Sequence, residues 1–177
     1  MNRAREQPIL LLEVFAGSPW NNAMEKLPEV ETAKALMTEA VTWSVMRWLR
    51  EKKRVRKTAD QANAALDQLS EAIRQRWPDQ VRTAYEALVA QNARTAARNH
   101  ETPPPPVSAP EATLIAKKVK EADDEAYRAR MDAEEAFDQA EKQLSTSLAR
   151  DGCRKAIHSW ELHEKAIRKA ETVIRPK

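Results

Sequence analysis

The sequence predicts an all-α protein, an elongated helical bundle or antiparallel coiled coil of long helices joined through one proline-rich linker. Three observations lead there. Only two glycines occur in 177 residues, where an average chain has roughly 7 %, and Ala, Glu, Lys, Arg, Leu and Gln, which lose least on entering a helix, dominate instead. Charged residues make up 32 % of the chain and the mean hydropathy is −0.72, which favours slender helices packed pairwise over a thick core. Apolar residues also recur at alternating steps of three and four over long stretches, the spacing of a helical seam.

Residues 1–27 read as a short amino-terminal segment ending in the turn "AGSPWNN", rich in Gly, Pro and Asn. The apolar run near the start is broken by Glu13, short of the roughly 7–15 apolar residues of an export signal. No stretch of roughly 18 apolar residues is present for a membrane span. Residues 28–99 read as a helical hairpin or a kinked long helix. Pro28 suits a first helical turn, with Glu29 and Glu31 behind it at the positive end of the helix dipole. No glycine or proline interrupts residues 30–77, which predicts one rod on the order of 70 Å at roughly 1.5 Å per residue. Pro78 then breaks or kinks it. Residues 100–110, "HETPPPPVSAP", hold five prolines and read as an extended spacer. Residues 111–177 return to helix, with a break or kink expected at Asp151 and Gly152. By length the whole is one domain.

Two series seven residues apart mark the seam of the long helix: Val41, Trp48, Val55, Ala62 and Leu69, then Val45, Lys52, Ala59, Leu66 and Ile73. Lys52 is the one polar member, a type of residue that sets register at some cost in stability. Just before the basic run, "ALMTEAVTWSVM" is apolar around most of its circumference, and a helix apolar on most sides is covered on most sides. Leu36, Met37, Val41, Trp43, Val45 and Trp48 are therefore the expected protein interface, where several helices meet or a second subunit docks. Alanines at 122, 126, 129, 133, 136 and 140 form a second seam that lets backbones approach closely, and 149, 153, 156, 160, 163, 167, 170 and 174 continue the pattern.

The formal charge is only +3, so strong fields are local. Residues 47–57 carry seven bases against Glu51, and residues 121–141 carry nine acids against Arg128 and Arg130. On a helix whose seam is buried, Arg47, Arg50, Lys53, Arg54 and Lys57 fall together on the opposite side as a ridge able to bind phosphates. Trp48 points into the seam, so the tryptophans do not serve as a base-stacking platform. The acidic segment of the same chain, or of a neighbouring copy, is the nearer partner for the ridge, with nucleic acid second.

No motif identifies a reaction. Glycines at 17 and 152 alone leave no glycine-rich phosphate loop, no Ser, His and acid constellation stands out, and "HSWELHEK" (His158, Glu161, His163, Glu164) lacks the Glu-x-x-His spacing of helical metal sites. Cys153 is the lone cysteine, which excludes an intrachain disulfide and fits a reducing compartment; it reads as a small seam residue. The expectation is a cytoplasmic, non-enzymatic helical interaction or assembly protein, without metal or cofactor, acting as an oligomer or as a subunit of a larger complex. The alternative is a sequence-nonspecific nucleic-acid-binding accessory protein that uses the ridge.

Overall fold

The computed structural model describes residues 27–97, with the backbone alone for 94–97, and residues 109–174. The expected amino-terminal segment and turn, and nearly all of the proline-rich spacer, lie outside the described residues. Among the described residues every regular element is an α-helix: α1 (Pro28–Ala40), α2 (Val45–Arg74), α3 (Asp79–Ala97), α4 (Pro110–Gln143) and α5 (Thr146–Thr172).

Pro28 occupies the first turn of α1 with Glu29 and Glu31 beside it. The uninterrupted rod expected over residues 30–77 is corrected here: it is cut between Ala40 and Val45. No glycine or proline makes this turn. Thr42 Oγ1 donates to the Glu39 carbonyl, Trp43 N donates to the Ala40 carbonyl, and the Ser44 hydroxyl caps α2 by accepting from Arg47 N at 3.3 Å. Ser44, extended and bonded to Arg47 N, is an N-cap of the kind that contributes about 1 kcal/mol to a helix start. The turn folds α1 back on α2, which covers the apolar band on a second side.

The expected break at Pro78 is present. Backbone bonding of α2 runs out at Trp77, whose indole donates to the Ala170 carbonyl at 3.0 Å, and the Pro78 carbonyl accepts from Val81 N and Arg82 N to begin α3. The expected interruption at Asp151 and Gly152 is a second correction, because α5 runs unbroken through both. The connection falls earlier, at Leu144, which adopts a left-handed φ of 50°, and at Ser145, which caps α5 by accepting from Leu148 N. Gly152 answers a packing demand: a Cβ there would lie 2.6 Å from the Phe137 ring of α4.

Pairs of residues in contact give the directions. Lys52 with Glu141, Arg56 with Asp138, Asp67 with Arg130 and Arg74 with Asp123 run in opposite order along α2 and α4, so these helices are antiparallel. Asn63 with Trp160, Ser70 with His163 and Trp77 with Ala170 run in the same order, so α2 and α5 are parallel. The α4–α5 hairpin is the most extensive contact, built on buried Ala122, Ala126, Ala133, Ala136, Ala140, Ala149, Cys153 and Ala156. Small residues let these two backbones close up. On α2, Trp48, Val55, Ala59, Ala62, Leu66, Leu69 and Ile73 are buried, as the two heptad series predict, and Trp48 stacks on Phe137 with centroids 5.5 Å apart. Helix α1 closes over α2 and α5, tied by Lys34 to Glu164 at 2.7 Å, and α3 lies along α4, tied by Tyr85 to Asp123 at 2.6 Å. The result is a helical bundle.

Candidate interaction surfaces

The basic ridge follows from the seam. With Trp48 and Val55 buried, Arg47, Arg50, Lys53, Arg54 and Lys57 are turned out, and all five are exposed. Arg47 pairs with Glu39 and lies over the Trp43 ring, 4.5 Å from its centroid. Arg50 and Arg54 reach Glu51 at 3.8 and 3.7 Å. Lys53 and Lys57 have no ion-pair partner among the described residues. The other two bases of the run turn inward. Lys52 reaches Glu141 at 3.3 Å, and Arg56 reaches Asp138 and Glu141 while lying over the Phe137 ring. Along this edge a groove of about 630 Å³ is lined by Lys52, Lys53, Arg56, Lys57, Asp60 and Glu141, among others.

The acidic segment of α4 divides the same way. Asp123, Asp138 and Glu141 bond to α2 or α3, whereas Glu121, Glu125, Asp132 and Glu135 are exposed and have no ion-pair partner among the described residues. Arg128 interrupts that outer row and donates to the Asp124 carbonyl. Large apolar side chains are exposed near both charged rows: Met46 on α2, 77 % exposed, and Tyr127 and Met131 on α4, 61 % and 44 % exposed.

The six residues expected to form a protein interface lie elsewhere. Leu36, Met37, Trp43 and Trp48 are buried in the chain's own core, and Val41 and Val45 are half-buried. The fold-back of α1 and the packing of α4 and α5 cover them, so the band joins helices within one chain.

A polar cluster that the sequence reading did not assemble lies where α2, α3, α4 and α5 meet. It surrounds a pocket of about 280 Å³ lined by Asp67, Ser70, Arg74, Tyr85, Asp123, Arg130 and His163, among others. Ser70 Oγ is 3.1 Å from His163 Nε2, and Asp67 stands 3.9 Å from the same nitrogen. A Ser–His–acid relay needs the acid on the far ring nitrogen, so this arrangement ties helices together and is not aligned for that chemistry. Burial lowers the His163 pKa below its ordinary 6.5, and the nearby Asp67 and Asp123 offset this only in part. Tyr85 is pushed strongly upward by burial and by Asp123, so its phenol stays a donor. Of the cluster only Ser70 belongs to a pattern visible in the sequence, the row Arg56, Asn63, Ser70 and Trp77 that repeats at intervals of seven beside the apolar seam. This third row widens the buried face to meet two helices at once.

The "HSWELHEK" residues diverge. His158 and Glu161 are exposed, His163 turns to Ser70 and Glu164 bonds to Lys34. Among the described residues no three His, Cys, Asp or Glu converge in a way that would hold a metal ion, and no helix is long and apolar enough to cross a membrane. Cys153 is buried, and burial pushes its thiol up to about 12 against the weaker pull of Arg154. No protein-family model matches the chain, and no curated protein or solved structure is significantly similar to it.

Proposed function

We propose that this chain is a non-enzymatic helical interaction and assembly protein of the cytoplasm, working as an oligomer or as a subunit of a larger complex. The observation that carries this reading is the division of the outer surface into rows of opposite charge that make no close ion pair: Lys53 and Lys57 on α2, and Glu121 and Glu125 on α4, with Asp132 and Glu135 acting on Lys155 of α5. Exposed ion pairs contribute only about 0–1 kcal/mol each, so such rows act mainly in choosing a partner and its orientation. The heptad rows of α2 support reading the bundle as an elongated antiparallel coiled coil, with Lys52 as its register residue. The polar cluster supports a structural role, since its groups bond to one another across helices. The test is the molecular mass in solution at about 50 mM and about 1 M salt. A mass above one chain at low salt is expected. A single-chain mass at both, with no partner recovered by crosslinking in cell extract, overturns the reading.

A second reading is favoured by the groove beside Lys53 and Lys57, where bases outnumber acids. It is a sequence-nonspecific nucleic-acid-binding accessory protein gripping phosphates through Arg47, Arg50, Lys53, Arg54 and Lys57, with an affinity that falls steeply with salt. Neutralising three of these residues then abolishes a mobility shift and leaves helicity intact. No shift at about 50 mM salt rejects it.

A further inference from the structure

We infer that the outer face of α5 grips the phosphate backbone of a nucleic-acid duplex; this shares its ligand with the second reading above and moves it to another surface. Along α5 the residues Arg150, Arg154, His158, Glu161, Lys165, Arg168 and Lys169 are all exposed. At about 100° per residue they fall within an arc of roughly 100°, on the reverse of the side that buries Gly152, Ala156, Trp160 and Ala170. None of these arginines and lysines makes a close ion pair among the described residues. The row goes unnoticed in the sequence because its bases are spread over residues 150–169 with core residues between them.

Each edge of the face is closed by an ion pair of its own. Toward α4, Lys155 bonds to Asp151 at 2.8 Å and is acted on by Asp132 and Glu135 of α4. Toward α1, Glu164 bonds to Lys34 at 2.7 Å. Within the face only Glu161 opposes the bases, and counting Glu121 and Glu125 of α4 as well still leaves the bases in excess. The ridge of α2 holds less free charge, because Arg47 pairs with Glu39 while Arg50 and Arg54 share Glu51, which leaves Lys53 and Lys57.

Length and charge density choose the partner. The row from Arg150 to Lys169 runs along roughly 28 Å of helix, and over that distance a duplex presents one phosphate charge per about 1.7 Å. The outer acidic row of α4 in a second copy offers only Glu121, Glu125, Asp132 and Glu135, with Arg128 among them. No large apolar side chain of α5 is exposed among the described residues, so the face has nothing to sink into a bilayer. Trp160 is buried, so no aromatic ring of α5 is free to stack on bases. Arginines at 150, 154 and 168, whose forked donors fit phosphate oxygens, make this a contact with the backbone and without sequence preference.

The test is fluorescence anisotropy of a labelled DNA duplex of mixed sequence titrated with the full chain, with circular dichroism as the check on folding. If each of the five bases holds a phosphate, affinity should fall roughly 500-fold between about 50 and about 200 mM salt, a logarithmic slope of roughly −4.5. Arg154→Gln with Lys165→Gln and Arg168→Gln should weaken binding at about 50 mM salt by at least about tenfold and flatten the slope to roughly −1.8. Arg50→Gln with Lys53→Gln and Lys57→Gln should leave both nearly unchanged. If the first variant unfolds, Arg150→Gln with Lys169→Gln is read in its place, with a slope of roughly −2.7. A loss confined to the α2 variant overturns the α5 face and leaves the second reading standing. A wild-type chain that does not bind at about 50 mM salt overturns both. Binding to vesicles of anionic phospholipid and not to the duplex also overturns duplex binding, and gives the face to a membrane.

Discussion

Gly152 lies inside α5, in its second turn, a place where alanine ordinarily improves a helix by roughly 1 kcal/mol. Here the added methyl would meet Phe137 Cδ1 at 2.6 Å, and the ring is held by its stack on Trp48. Overpacking of this kind costs typically about 1–3 kcal/mol, so Gly152→Ala should lower the urea midpoint, and adding Phe137→Leu should recover part of the loss. An unchanged or raised midpoint would show that the ring gives way freely. His163 supplies a second expectation. The charged groups facing it are Asp67 and Arg74 from α2 and Asp123 and Arg130 from α4, and desolvation outweighs them to lower its pKa. The unfolded chain therefore takes up a proton near pH 6.5 that the folded chain resists. Stability from this group is complete above that value and declines as pH falls below it toward the folded pKa. In His163→Gln the stability curve should be flatter between about pH 5 and 7; equal slopes in the two proteins would remove the imidazole from the account. Gly152 was visible in the sequence only as a helix breaker, because the Phe137 ring that demands it is fifteen positions away on another helix.

Helix boundaries show the same division between local and distant causes. The break at Pro78 was legible because proline acts through its own ring and missing N–H. The turn at residues 41–44 was not, since its bonds come from Thr42, Trp43 and Ser44, residues equally at home inside a helix, and the heptad series runs across it from Val41 to Trp48 without a fault. The turn at Leu144 hides better still. A leucine with φ of 50° adopts a conformation that costs an L-residue roughly 1–2 kcal/mol, and its side chain is exposed. Leu144→Gly should then raise the thermal midpoint by an amount on the order of 1 kcal/mol of stability. A lowered midpoint would mean that the leucine side chain contributes more packing than its exposure implies. The hairpin tolerates this strained residue because the alanine seam on either side fixes the closure.

Across the whole molecule, the apolar and charged parts of the sequence separate by destination. Trp48 is 2 % exposed and stacked on Phe137, so Trp48→Ala should cost about 3–5 kcal/mol, read as a lower unfolding midpoint. If that variant keeps its midpoint and loses only oligomer mass, the tryptophan belongs to an interface after all. The ridge of Arg47, Arg50, Lys53, Arg54 and Lys57 was legible because the seam of a single helix dictates its reverse side. The Asp67, Ser70 and His163 cluster was not, because Ser70 and His163 are 93 positions apart and heptads alone do not say which helix faces which. The seam assignment did place Cys153 correctly among buried residues. That one atom has a use of its own. A thiol held up to about 12 and closed off from water reacts only while the core stands open, so in native buffer its rate of capture by an alkylating reagent counts excursions of the bundle from its closed state. The chain carries a built-in clock for its own opening, and each substitution above can be timed against it without adding a label.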